Sequence, residues 1–161
     1  MNDTAALIAA LADAPSMIIS LIHEVPPLNL KRRPSPHKWS AHEHACHLSD
    51  VDGLYFSRLE LILSDPAPYI KDVVASPEEE TGSLLKVNLE EALGQYARER
   101  RRLVDRLRAL CAEDWQRTAE HAECSHYSVF IMFRQLLLHE MFHAYRIEEL
   151  RLKKDWSSSS A

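Results

Sequence analysis

The sequence predicts an all-α protein built from four long helices, and three observations carry that prediction. Glycine is scarce, three in 161 residues, which argues against a β-rich or Rossmann-type chain. Four stretches place apolar residues three and four positions apart, the spacing that lines up one face of a helix. Three of the four open on a residue suited to capping a helix: Ser40, Asn88 and Ser128.

The first stretch runs from Thr4 to His23, with Leu7, Ile8 and Leu11 on one face, followed by Ile18, Leu21 and Ile22. Pro15 lies inside it. Proline lacks an N–H and crowds the carbonyl four residues back, so a break or kink near Asp13-Ala14 is expected. Pro26-Pro27 ends the stretch, and the polar segment with Arg32, Arg33, Pro34 and Pro36 shows no regular pattern.

The second helix starts clearly. Ser40-Ala41-His42-Glu43 has the form of a capping box, in which serine and glutamate each bond the other's backbone amide. Trp39 sits in the hydrophobic-staple position and is expected to pack on His44 or Leu48. Leu48, Val51, Leu54, Tyr55, Leu59 and Ile62 keep the helical period up to Ser64-Asp65-Pro66. Residues 64–87 then carry three prolines and Glu78-Glu79-Glu80. So long a connection is uncommon in a compact domain and often functional. It can also run back along a bundle, so the helices it joins need not be antiparallel neighbours.

The third helix opens at Asn88-Leu89-Glu90-Glu91 and buries Leu89, Leu93, Tyr96, Leu103, Leu107 and Leu110. The run Arg98 to Arg102, interrupted by Glu99, reads as a solvated face. Glu113-Asp114-Trp115 leads into a polar loop with His121, Cys124 and His126. The fourth helix starts at Ser128 and runs through Ile131, Leu136, Leu138, Phe142, Ile147 and Leu150, with Lys153 and Lys154 where cations suit the helix dipole. No strand pattern is convincing. Residues 1–156 read as one domain, and Ser157 to Ala161 as a disordered tail.

Composition narrows the function classes. Apolar residues make up 46% and charged residues 27%, as in a soluble globular protein. A net charge of −5 gives no reason to expect nucleic acid as a partner. Cys46, Cys111 and Cys124 are too few and too scattered for a disulfide framework, and the lack of a CxxC pair argues against a cysteine zinc cluster; the odd count suits a reducing compartment. Met1-Asn2-Asp3-Thr4 lacks the basic start of a signal peptide, and no apolar run reads as a membrane span. A cytoplasmic protein with no membrane partner is expected.

The chemistry lies in His139-Glu140-Met141-Phe142-His143. Histidines four apart on a helix differ by ~40° in direction and ~6 Å in height, so both imidazoles can reach one metal ion. Leu136, Leu138 and Phe142 are expected to bury the pair. His42, His44 and His47 lie on the second helix. His47, within its apolar part, is the best third ligand. His44 is the alternative one turn earlier, and His42 is expected to be solvated. Glu43 and Asp50 flank His47 at i−4 and i+3; either could orient a ligand imidazole, or serve only as a cap and a surface charge. Three histidines leave a coordination position open, the arrangement of a catalytic metal site. The ligand set suits zinc or nickel, with iron possible. The same string formally matches the zincin protease motif, with Glu140 as base. Only 18 residues follow His143 to supply a third ligand, however, and Glu148 and Glu149 lie on the same helix.

Lys38-Trp39-Ser40 with Glu43 and His47-Leu48, the Leu89-Glu90-Glu91-Ala92 start, and Trp115-Gln116-Arg117-Thr118 followed by His121 and Leu136-Leu137-Leu138-His139-Glu140-x-x-His143 resemble the DinB-like superfamily, which includes YfiT-like metal-dependent hydrolases. The resemblance covers nearly the whole chain. It implies a four-helix bundle of unusual connectivity, a metal held by His47, His139 and His143, and a homodimer. It also implies a small-molecule substrate and either hydrolysis or thiol-dependent S-transfer, the latter with a low-molecular-weight thiol as co-substrate. A non-catalytic metal- or ligand-binding bundle is the alternative. Where the family often has glutamine three residues after the last ligand, this chain has Arg146, which could bind an anionic group or pair with Asp50 or Glu149. The connection with Tyr69 and the loop with His121, His126 and Tyr127 are expected to border the pocket, His126 being a candidate acid–base group.

Overall fold

The computed structural model describes residues 3–71, 82–154 and 156. Its long helices are α1 (Thr4–His23), α3 (Ala41–Ser64), α4 (Leu89–Arg108) and α5 (Val129–Leu152), with a single helical turn, α2 (Pro27–Leu30), before the second of them. The caps expected at Ser40, Asn88 and Ser128 form, and α1 has one at Asp3 that the sequence reading did not include. Asp3 accepts from Ala6 N at 2.9 Å, Asn88 caps α4 and Ser128 caps α5. At α3 the capping box is complete, Glu43 N donating to Ser40 Oγ at 3.3 Å and Ser40 N to Glu43 Oε2 at 2.9 Å. Past the end of α5, the Trp156 indole N–H donates to Leu150 O at 3.2 Å, beside the weaker bond that carbonyl accepts from Lys153 N at 3.4 Å.

The four long helices form a bundle in which α3 packs on α4 and α5, α1 packs on the same two, and α1 and α3 lie across the diagonal. Cross-helix bonds give the directions. Asp52–Arg100 and Glu60–Arg106 make α3 and α4 parallel; His44–His143 and His47–His139 make α3 and α5 antiparallel. Parallel neighbours consecutive in the chain require a return along the bundle, which the long connection after Ser64 supplies. Glu78-Glu79-Glu80 and Ser157 to Ala161 lie outside the described residues.

Several expectations are corrected. α1 continues through Pro15 with no break assigned at Asp13-Ala14. The carbonyl that loses its partner to a proline at position 15 is that of Leu11, and Arg100 Nη1 donates to it at 2.9 Å. The Arg98–Arg102 run is therefore not all solvated: Arg100 is 1% exposed. Its guanidinium grips Asp52 through Nε (3.0 Å) and Nη2 (2.7 Å) and pairs with Glu140, which also accepts from Tyr96 Oη at 2.7 Å. One residue or carbonyl from each long helix thus meets in a polar layer at mid-bundle. Apolar clusters lie on either side, one around Leu11, Leu59, Leu103 and Phe133, the other around Ile22, Leu48, Leu93 and Ile147. Burial opposes the charge on Arg100, and the hydrogen bonds and charges of Glu140 and Asp52 outweigh it, so its pKa is raised.

α1 is also long and apolar enough to cross a membrane by length and composition, with a mean hydropathy of 2.0, contrary to the reading of the sequence. Its Leu7, Leu11, Ile18 and Ile22 face is buried in the bundle. Two short strands form where none was expected: Tyr69–Ile70 pairs in parallel with Glu120–His121. Two residues are too few to show an alternating pattern.

Candidate metal centre

His47, on the first half of α3, faces His139 and His143 on α5. Their ring nitrogens lie within 4.8 Å of one another. The Nε2 atoms converge: His47 to His139 at 3.3 Å and His143 to His139 at 3.0 Å. The fourth imidazole, His44, sits behind His143, with Nδ1 to Nδ1 at 2.8 Å. Trp39 closes one side as its staple position predicts, its ring centroid 5.4, 5.1 and 5.9 Å from those of His44, His47 and His143.

The cluster is neutral near pH 7. Burial, then the neighbouring imidazoles, push His143 down to about 2. Burial, then His47, push His139 down to about 4. His44 is lowered to about 4 by burial and by Arg146, and His47 is lowered by burial with Asp50 opposing. Neutral imidazoles present lone pairs, the form a cation needs.

Hydrogen bonding alone does not satisfy this group. A neutral imidazole carries one N–H, so His139 Nε2 cannot donate to both neighbours. His139 Nδ1 is meanwhile buried with no partner among the described residues. A divalent cation fits better. Nitrogens bound tetrahedrally at ~2.05 Å lie ~3.3 Å apart, close to the two Nε2 separations. The residues that could hold an ion are thus His47, His139 and His143.

An open depression of about 490 Å³ lies over the cluster, lined by His37, Lys38, Trp39, Phe142 and Arg146 as well as the four histidines. No carboxylate is among these residues. Arg146 pairs with Glu149 rather than Asp50 and still reaches the depression.

The remaining candidates fall elsewhere. Glu43 is buried in the capping box and against Arg33, whose Nε donates to it at 2.9 and 3.1 Å. Burial would raise its carboxyl, but the bonds from Arg33 and Ser40 outweigh that and lower it. Asp50 accepts from Gln95 at 3.1 Å. His42, expected in solvent, is 1% exposed, because the 3₁₀ turn Ser83–Lys86 covers it and Leu84 O lies 3.1 Å from its Nε2. Leu138 and Phe142, expected to bury the histidine pair, are 61% and 56% exposed; α3 and Trp39 cover the imidazoles instead. Tyr69, His121, His126 and Tyr127 do not border the depression. Tyr69 and His121 meet at the strand pair beyond the C-terminal end of α3, ~25 Å of helix past His47, and Tyr127 lies against His121 and faces Tyr55 and Arg58 in the second half of α3. Glu140 is 0% exposed and turned into the polar layer, so it is no base for this site. That layer is what the sequence reading missed; the one signal for it in the sequence is Pro15 inside an apolar period that continues past it.

A family model of the DinB superfamily matches residues 10–147. The fold is similar to that of YfiT from Bacillus subtilis, described as a probable metal-dependent hydrolase with an unusual four-helix bundle topology: TM-score 0.79, with 15% identity, over 93% of this chain and 87% of that one. At that identity the likeness is one of fold. No curated protein sequence matches the chain.

Proposed function

The chain belongs to the DinB superfamily, and on that premise we propose that it is a metal-dependent hydrolase of small molecules, with His47, His139 and His143 as metal ligands. The observation that carries this is the convergence of three neutral Nε2 atoms beneath an open depression. The description of YfiT as a probable metal-dependent hydrolase supports the same reading. His47, His139 and His143 would hold a divalent cation, which would supply Lewis acidity and lower the pKa of water toward neutrality. Zinc or nickel suits an all-imidazole set.

The protein's own groups do the rest. His47 and His139 stand on different helices, so the geometry with which they would hold an ion depends on how α3 and α5 pack. Trp39 shields one flank from water and strengthens electrostatic interactions beneath it. Lys38 and Arg146 on the lining favour a substrate with an anionic group. With no carboxylate among the described residues that line the depression, proton transfer falls to water or to an imidazole.

The test is metal analysis of the purified protein, followed by panels of ester and amide substrates and of thiol-transfer reactions, with His47→Ala as the control. One divalent ion per chain and hydrolysis abolished by His47→Ala are expected. Turnover only with an added thiol would assign S-transfer instead. Firm metal binding with no turnover would favour a binding bundle, and turnover that survives His47→Ala would place the chemistry elsewhere.

A further inference from the structure

His44 has no part in the proposal above, yet it is 6% exposed and makes the shortest contact within the cluster. We infer that His44 is a positioning residue for His143: its Nδ1 accepts the proton of His143 Nδ1 and so turns the His143 Nε2 lone pair toward the other two Nε2 atoms. The inference rests on the metal site proposed above.

The argument is one of proton counting. Two nitrogens 2.8 Å apart must share one hydrogen. If His44 donated it, His143 would carry its own proton on Nε2, aimed at His139 Nε2 only 3.0 Å away, and could not ligate. If His143 donates, its Nε2 is bare and all three lone pairs can face one point. Only the second assignment leaves the His143 Nε2 lone pair free to share one ion with His47 and His139.

The identity of the acceptor has a consequence. Histidine ligands usually donate their second N–H to a carboxylate, a carbonyl or water. Here the two nearby carboxylates are otherwise engaged, Glu43 by Arg33 and Ser40, and Asp50 by Gln95. A neutral imidazole takes the place and adds no negative charge beside the ion. His44 is held in turn by the Trp39 ring, set edge-on at 5.4 Å. Because His44 and His47 are three apart on α3, one turn of that helix supplies both a ligand and the support for a ligand on α5.

The test uses the full chain, labelled with ¹⁵N-histidine and loaded with zinc. NMR should show His143 protonated on Nδ1, a scalar coupling across the hydrogen bond to His44 Nδ1, and His44 protonated on Nε2. Chelator competition should show that His44→Ala weakens zinc binding by about 10- to 100-fold. His44→Asn, whose amide oxygen lies near the position of Nδ1, should recover most of that loss. A proton found on His44 Nδ1, an undiminished affinity in His44→Ala, or equal losses in the alanine and asparagine variants would overturn the inference. If His44→Ala does not fold, the NMR assignment on the unmodified protein decides. Failure of the unmodified protein to bind zinc would sink the metal site and this inference together, whereas firm binding with the wrong tautomer would sink only this one.

Discussion

The polar layer predicts an energetic coupling between Pro15 and Arg100, two residues on different helices. Without an N–H at position 15, the Leu11 carbonyl depends on Arg100 Nη1 at 2.9 Å. Arg100→Met would leave Asp52 and Glu140 buried without their cation, a loss of about 3–5 kcal/mol, against a total of roughly 5–15 kcal/mol for a domain. It would also strip the Leu11 carbonyl. Pro15→Ala supplies a new N–H to that carbonyl. Relief of the proline's helix penalty, about 3 kcal/mol, occurs in both backgrounds and cancels in a double-mutant cycle. What does not cancel is the bond to Leu11: Pro15→Ala adds little where Arg100 already donates and about 1 kcal/mol where it does not. Urea denaturation of the four proteins should therefore give a coupling near 1 kcal/mol, with Pro15→Ala helping more in the Arg100→Met background. A coupling within the ordinary additivity error of about 0.3–0.5 kcal/mol would refute the claim that the guanidinium substitutes for the missing amide.

Three more outcomes follow from the geometry. Glu140→Gln should cost about 3 kcal/mol of stability in urea denaturation while metal stoichiometry stays unchanged; unchanged stability with loss of metal would contradict its burial in the layer. His139→Ala should abolish tight zinc binding in calorimetry yet leave the metal-free protein about as stable, since that imidazole keeps a buried nitrogen unpartnered. The third concerns pH. The Glu43 carboxyl is held below its ordinary value of 4.5, so the unfolded chain takes up the proton first, and the stability Glu43 contributes above that value is lost as pH falls through it. In Arg33→Met only the Ser40 bonds oppose burial, so the folded value rises and this contribution shrinks. The urea midpoint should therefore drop more between pH 6 and pH 3.5 in the unmodified protein, and an equal drop in both would refute this account.

The helices were legible because their signals are local. Ser40 with Glu43, Asn88 and Ser128 mark starts that the structure reproduces within a residue. The facing of His139 and His143 followed from helical phase alone. Other features depended on partners distant in the chain. Nothing near Arg100 says that its guanidinium enters the core, because its partners lie 40 and 48 residues away and on a third helix. His42 is covered by a turn 42 residues downstream. Leu138 and Phe142 have the hydrophobicity of core residues but point away from α3, and hydrophobicity without a known neighbour does not decide a face. The choice between His44 and His47 rested on apolar flanks and favoured the member that joins the convergent trio, but the part His44 plays beside His143 required a distance.

The Arg100 layer also acts as an alignment pin. Asp52 on α3 and Glu140 on α5 hold the same guanidinium, so neither helix can slide along the other without abandoning it. A slip of one turn shifts a carboxylate by ~5.4 Å and strands a charge in an apolar interior. His47 lies five residues before Asp52, and His139 immediately precedes Glu140. The clamp that resists sliding therefore also sets the height at which imidazoles from two separate rods come level. Substitutions deep in the interior, far from any ligand, would be felt first as a blurred coordination geometry.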